Sequence, residues 1–292
     1  MKIDIHAHNS NHKLWGLHTE SATISDLEKE AKKHAIKKIF LMATYFPYKK
    51  SGLKNEVLLD RIKGNNLFGM FASLDAGSDV SAAVVVLRKF AQGKLIAGLK
   101  LYPGYQKFSL SDKKINPVYE LAEEFDLPIA IHVGELHHCC PKEKREKRKT
   151  RCGDICPIDT FAYLARPREA ESAIRNHPNV NFVLAHLGNP YFNEVRDLMK
   201  KYPNVYTDMS GQFISASHED TPEYREELKI EMLKFFQIEN AIDRFMFASD
   251  FPIQSYKDSI ELVEALGLSK EEKEKIYSKN AIKLFNLRED VK

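Results

Sequence analysis

A single (β/α)8 barrel is expected from three features of this sequence. Eight short runs rich in Val, Ile, Phe and Leu alternate with longer segments of helical period. The runs are continuously apolar rather than alternating, as parallel strands buried on both faces are. The chain has 292 residues, and one such barrel typically takes roughly 250.

The elements follow in order. The run 2–6 opens the chain and ends in His6, with His8 just beyond it. Residues 25–35 form an amphipathic helix with Ser25 as its expected N-cap. The second and third runs lie at 38–43 and 67–74, before a helix at 80–90. The fourth run, 97–101, precedes a helix at 117–125, and the fifth, 128–133, ends in His132. A helix at 167–177 opens with proline in its first turn. The runs 181–185, 204–209 and 244–248 complete the eight, with helices at 193–202, 224–236 and 256–266 between and after them. Residues 270–277 and 280–287 are expected to pack as closing helices. A doubly wound open sheet is the alternative, but the Gly-rich fingerprint it favours is absent after the first run. Residues 1–292 therefore read as one domain, with 136–158 as an insertion too long for an ordinary βα loop.

Composition narrows the partners. The formal net charge is only +3, so bulk electrostatics favour neither nucleic acid nor a membrane surface. No stretch reaches the roughly 20 apolar residues of a membrane span. The first strand begins at once, leaving no room for a signal peptide, so a cytoplasmic location is expected. A small-molecule substrate is the expected partner, and the oligomeric state is left open, a homo-oligomer included.

Polar residues end the apolar runs. His6 and His8 stand two apart, the spacing that puts two imidazoles on one face of a strand. Lys100, His132, His186 and Asp250 end the fourth, fifth, sixth and eighth runs. In a barrel of parallel strands these ends meet at one rim. Any one of them alone reads as a hydrogen-bonded structural residue. Five strand ends together read as a metal site, because buried histidine and aspartate are costly unless satisfied.

The insertion is a second candidate. His137, His138, Cys139, Cys140, Cys152 and Cys156 gather thiolate and imidazole donors of the kind a structural zinc uses. Adjacent Cys139 and Cys140 depart from the usual Cys-x-x-Cys knuckle, so disulfides or free thiols are the alternatives. The basic run 142–151 reads as a solvated loop face. No interleaved aromatic series supports nucleic-acid binding.

The motifs resemble the amidohydrolase superfamily, in its amidohydrolase-related branch of small hydrolases and aromatic-acid decarboxylases. The matching stretches, in chain order, begin with Asp4-Ile5-His6-Ala7-His8, Gly98-Leu99-Lys100-Leu101-Tyr102-Pro103 and Ile131-His132-Val133-Gly134-Glu135. Ala185-His186-Leu187-Gly188, Asn204 to Gly211, Ala248-Ser249-Asp250-Phe251-Pro252 and Asn280 to Phe285 follow. The resemblance implies that His6, His8, His132 and Asp250 bind one divalent ion in the barrel, zinc by expectation. The ion would activate a water and polarise the scissile carbonyl. Asp250 would move the water's proton to the leaving group, and His186 would orient or deprotonate the water or stabilise the oxyanion. In two-metal relatives His186 and a carboxylated lysine on the fourth strand, here Lys100, hold a second ion. In one-metal relatives such a lysine contacts an anionic substrate. Tyr102 and Arg166 are further candidates for the substrate pocket, with Tyr105 beside them. Asp208 and Ser210 stand as partners behind the ligands, and His12 and His18 lie in a loop that could cover the substrate.

The expected activity is hydrolysis of a C–N or C–O bond, in an amide or a lactone. The alternatives are nonoxidative decarboxylation on the same scaffold and a catalytically silent, metal- or thiol-responsive binding protein.

Overall fold

A computed structural model describes residues 1–14, 16–45, 53–137, 146–147 and 157–287. Eight parallel strands run in sequence order around one sheet. They are β1 (Lys2–Ala7), β2 (Ile36–Met42), β3 (Phe68–Ser73) and β4 (Gly98–Leu101). β5 (Ile129–Ile131), β6 (Phe182–Leu184), β7 (Val205–Asp208) and β8 (Phe245–Met246) complete the set. The ladder closes from β8 to β1 through Ile5 N to Phe247 O at 3.3 Å, Asp250 N to His6 O at 2.8 Å and His8 N to Phe251 O at 2.7 Å. The architecture is the (β/α)8 barrel that the alternation predicts.

Side chains alternate across the sheet, as the strand period requires. Leu99 and Leu101 join the layer between strands and helices, so Lys100 between them faces the barrel interior. Ile3, Ile5, Phe40, Phe71, Val183 and Met246 fill that interior. Phe285 stacks on Phe40 at 4.6 Å and meets Phe71 edge-on at 5.6 Å. The C-terminal segment thus plugs the end of the barrel opposite the strand C-termini.

The helical layer begins with α1 (Ile24–His34), capped by Thr23 in a capping box with Asp26. The cap is therefore two residues earlier than Ser25, because Asp26 returns the bond to the Thr23 backbone. A helix that the sequence pattern missed follows, α2 (Asn55–Ile62). Next come α3 (Val80–Gln92), α4 (Asn116–Glu124) and the short α5 (Pro157–Phe161). The expected helix at 167–177 is a 3-10 turn, Pro167–Ala170, running into α6 (Glu171–Asn176). The layer ends with α7 (Phe192–Lys201), α8 (Pro222–Phe235) and α9 (Tyr256–Ala265). The closing segments are α10 (Lys270–Glu274), a π-helical turn over Lys275–Lys279 and α11 (Asn280–Leu284). Among the described residues no helix is long and apolar enough to cross a membrane. His138, Cys139, Cys140, Cys152, Cys156 and most of the basic run lie outside the described residues, so the structural-zinc expectation rests on sequence alone.

Candidate metal centre

The strand C-termini bring His6, His8, His132, His186 and Asp250 to one rim, around a cavity in two lobes. A register irregularity in β1 between Asp4 and Ala7 turns His6 inward although Ile5 also packs inside. Irregularities of this kind re-aim side chains at barrel rims. The Asp4 carboxylate holds the shifted backbone, accepting from His6 N at 3.0 Å and from Ser249 N at 3.1 Å. His6 Nε2 and His8 Nε2 then lie 3.9 Å and 3.1 Å from Asp250 Oδ1.

Asp250 and His186 both adopt left-handed backbone, at φ 58° and 61°. Neither is glycine, so each position carries local strain of the sort that clusters at functional sites. Gly211 makes the space they need. A Cβ there would lie 2.6 Å from Asp250 Oδ2 and 3.2 Å from His186 Nδ1.

The hydrogen-bond partners assign the tautomers. His6 Nδ1 faces Asp208 Oδ2 at 3.2 Å, an acceptor, so that nitrogen carries the proton. Ser210 Oγ gives its own proton to Asp208 and therefore accepts from His186 Nδ1 at 2.8 Å. His132 Nε2 faces the Glu135 carbonyl at 3.1 Å and must donate. Three nitrogens are left bare: His6 Nε2, His186 Nε2 and His132 Nδ1. The last two point their lone pairs at each other across 3.1 Å. A cation between such groups removes that conflict.

Electrostatics keep the set bare. Burial holds the His6 imidazole down at about 3, with Lys100 adding to the effect. Burial likewise lowers His132 and His186. Against their own burial, Asp208 and Asp250 are held well below the usual carboxylate range, Asp208 chiefly by His6 and Asp250 chiefly by His8. Three neutral imidazoles and two ionised carboxylates form a donor set for a borderline divalent ion. His6, His8 and Asp250 offer ligand atoms within 4.8 Å of one another, and so do His6, His186 and Asp208. His132 adjoins these groups through His186 rather than belonging to either.

Lys100 is wholly buried, and among the described residues its Nζ has no hydrogen-bond partner. It sits 5.1 Å from the centre of the Tyr102 ring. Burial lowers its ammonium to about 8, while Asp208 and Asp250 oppose the fall. Lys100 lines neither lobe, whereas Tyr102 and Tyr105 line the first. Arg166 lines neither lobe as well. It pairs with Glu194 and lies 3.7 Å from the Tyr191 ring centre, bracing two rim loops. His12 reaches the first lobe and His137 both; His18 instead packs against Phe251.

Sequence reasoning missed Arg61, which α2 carries to the wall of the first lobe. Its Nη1 donates to Asn9 Oδ1 at 2.6 Å, one residue beyond His8. Nothing in an eight-residue helix of ordinary composition singles that arginine out.

The bare imidazoles make stability depend on pH. A histidine whose folded pKa lies below the unfolded 6.5 takes up a proton on unfolding, so its contribution is lost as pH falls. Asp4, raised by burial to about 7, acts with the opposite sign and loses stability as pH rises toward that value. The three histidines outweigh it. Chelator-treated protein should lose stability as pH falls below about 6.5. Urea midpoints below that pH test this, and an unchanged midpoint refutes the assignment.

The amidohydrolase family model matches residues 3–287. No curated protein matches the chain. Solved structures share its fold at low identity. A probable 2-pyrone-4,6-dicarboxylic acid hydrolase from Acinetobacter baumannii, with citric acid bound, is 15% identical at a TM-score of 0.68, covering 98% of this chain and 99% of its own. A dihydroxybenzoic acid decarboxylase from Polaromonas, with manganese and 2-nitroresorcinol, is 15% identical at 0.69, covering 99% and 98%. A 5-carboxyvanillate decarboxylase from Novosphingobium aromaticivorans, also with manganese, is 18% identical at 0.64, covering 90% and 80%. With the family model spanning nearly all of it, the chain belongs to the amidohydrolase family.

Proposed function

We propose that this protein is a metal-dependent hydrolase that adds water to an amide or lactone of a small, carboxylate-bearing molecule. The observation that carries the reading is the rim cluster in which His6, His8 and Asp250 offer ligand atoms within 4.8 Å of one another, with the bare nitrogens of His132 and His186 facing each other beside them. His6, His8 and Asp250 would hold the ion, with His132 and His186 beside them. A divalent ion there, zinc or manganese, supplies the positive charge that polarises a carbonyl and acidifies water.

The chain's own groups do the rest. Asp250, ionised and strained toward the cavity, accepts the attacking water's proton and returns it to the leaving atom. His186 Nε2 orients that water, with Ser210 fixing its tautomer. Asp208 does the same for His6. Lys100 offsets the two buried carboxylates from beneath the site. Arg61 receives a substrate carboxylate in the first lobe, as guanidinium geometry suits.

The position of Arg61 also favours a second reading, nonoxidative decarboxylation, because it puts a carboxylate partner beside the candidate metal ligands. The test is product mass. Zinc- or manganese-loaded protein is given 2-pyrone-4,6-dicarboxylate and 2,6-dihydroxybenzoate, substrates named for its structural neighbours, and a set of monoamides of dicarboxylic acids. Gain of one water is the expected result. Release of CO2 without water addition to any lactone or amide overturns the hydrolytic reading. Arg61→Met should raise KM about ten- to a hundredfold with little change in kcat, the loss of one charge-assisted contact.

A further inference from the structure

We propose that the second lobe is the leaving-group subsite and that it selects a leaving group bearing an ammonium group. The inference rests on the hydrolytic reading and names its substrate class: an amide with a carboxylate at the acyl end and a cation at the other.

The shape supports it first. The lobes have volumes of about 530 and 450 Å3 and share His132, His137, His186 and Asp250 in their walls. A scissile carbonyl seated at that junction has one half of the molecule in each lobe. Loss of CO2 yields one organic product and uses one lobe, so a second lobe of similar size is unneeded there.

The charges then divide the halves. The first lobe carries Arg61. The second carries Glu135 and Glu219, and no Lys or Arg is among its described lining residues. Among the described residues neither carboxylate has an ion pair or hydrogen bond. Tyr224 lines the same lobe, its hydroxyl accepting from Asn189 Nδ2 at 2.8 Å and donating to Gln212 O at 3.1 Å. The lobe's inner wall is formed by His132 and His186, each about nine-tenths buried, whose facing nitrogens lack a proton between them. Among the described residues the lobe therefore opens on the reacting centre and carries two exposed glutamates at its outer end.

The chemistry balances. The water oxygen bonds to the carbonyl carbon and the C–N bond breaks. One water proton passes through Asp250 to the leaving nitrogen. At neutral pH the acid's proton also ends on that amine, so the products are a carboxylate and an ammonium. Each product carries the charge opposite to that of the lobe it occupies.

The test uses the full chain loaded with zinc or manganese and three glutaric acid monoamides, titrated calorimetrically at pH 7. Their amine parts are ethylenediamine, propylamine and β-alanine: cationic, neutral and anionic. The cationic amide should bind about five- to tenfold tighter than the neutral one, the reach of two solvent-exposed ion pairs. The anionic amide should bind weakest. Glu135→Gln with Glu219→Gln should shrink the cationic preference below about twofold and leave glutarate binding unchanged. Equal binding of the cationic and neutral amides, a preference that survives the double substitution, or no binding of any amide overturns the proposal. Water addition to a lactone without charge preference overturns it and spares the hydrolytic reading. Charge preference with only CO2 release overturns the leaving-group role and the hydrolytic reading together.

Discussion

His6→Ala combined with His8→Ala should empty the barrel of metal while the chain stays folded. Protein purified without added metal or chelator should carry one equivalent in the barrel, and the double variant less than about a tenth of that. Turnover should fall at least about a thousandfold, since the charge an ion supplies is worth several kcal/mol of barrier. Folding should survive because Asp208, although it loses His6 Nδ1 at Oδ2, keeps three donors at Oδ1. Asp208 still accepts from His186 N at 3.1 Å, from Ser210 N at 3.0 Å and from Ser210 Oγ. Elemental analysis beside circular dichroism reads both results. Two equivalents falling to one would place a second ion away from these ligands, and the Cys139–Cys156 stretch is the candidate. Two falling to none would make the barrel binuclear through His186 and Lys100. Absence of metal from the wild type would overturn the mechanism.

The barrel was legible because strand burial leaves a one-dimensional trace. Runs such as Ile129–Ile131 and Phe182–Leu184 are apolar on both sides, since one face meets helices and the other the interior. The gathering of the rim histidines was legible for the complementary reason: one polar residue ending such a run reads as structural, but several ending runs that meet at one rim do not. What escaped depends on distances that sequence spacing does not encode. Arg61 reaches the cavity only because α2 packs where it does. Arg166, near the rim in sequence, is captured by Glu194, twenty-eight residues away. His132 lies against His186 rather than within the His6, His8 and Asp250 group, because its ring donates back to the Glu135 carbonyl and turns Nδ1 toward β6. Lys100 reads from sequence as a rim residue, but the strand period turns it into the interior beneath the rim.

Gly134→Ala should be among the most damaging single substitutions in the chain. Gly134 adopts φ +101°, outside the left-handed well that other residues tolerate. A Cβ there would sit 2.3 Å from the Asn189 carbonyl oxygen and 3.0 Å from the Gly188 carbonyl carbon, both backbone atoms that cannot rotate aside. Around it, Gly134 N donates to Ala165 O and Glu135 N to Asn189 O, each at 2.8 Å. The first bond ties Gly134 to the far end of the β5–β6 connection, and the second locks the loop after β5 to the loop after β6 and so sets His132 against His186. Gly64→Ala is the matched comparison. Its φ is +74°, but no atom lies within 4 Å of the added Cβ. That variant incurs only the backbone cost of about 1–2 kcal/mol, or roughly 3 °C in Tm. Gly134→Ala adds main-chain overlap and should lower Tm by about 10 °C or more, or yield no soluble protein. Any folded fraction should also bind metal more weakly, because separating the two loops opens the 3.1 Å approach of His132 to His186. Differential scanning calorimetry of the two variants decides it. Equal shifts for both would mean that the β5 and β6 loops are not packed backbone to backbone, and that something other than this contact holds the two histidines together.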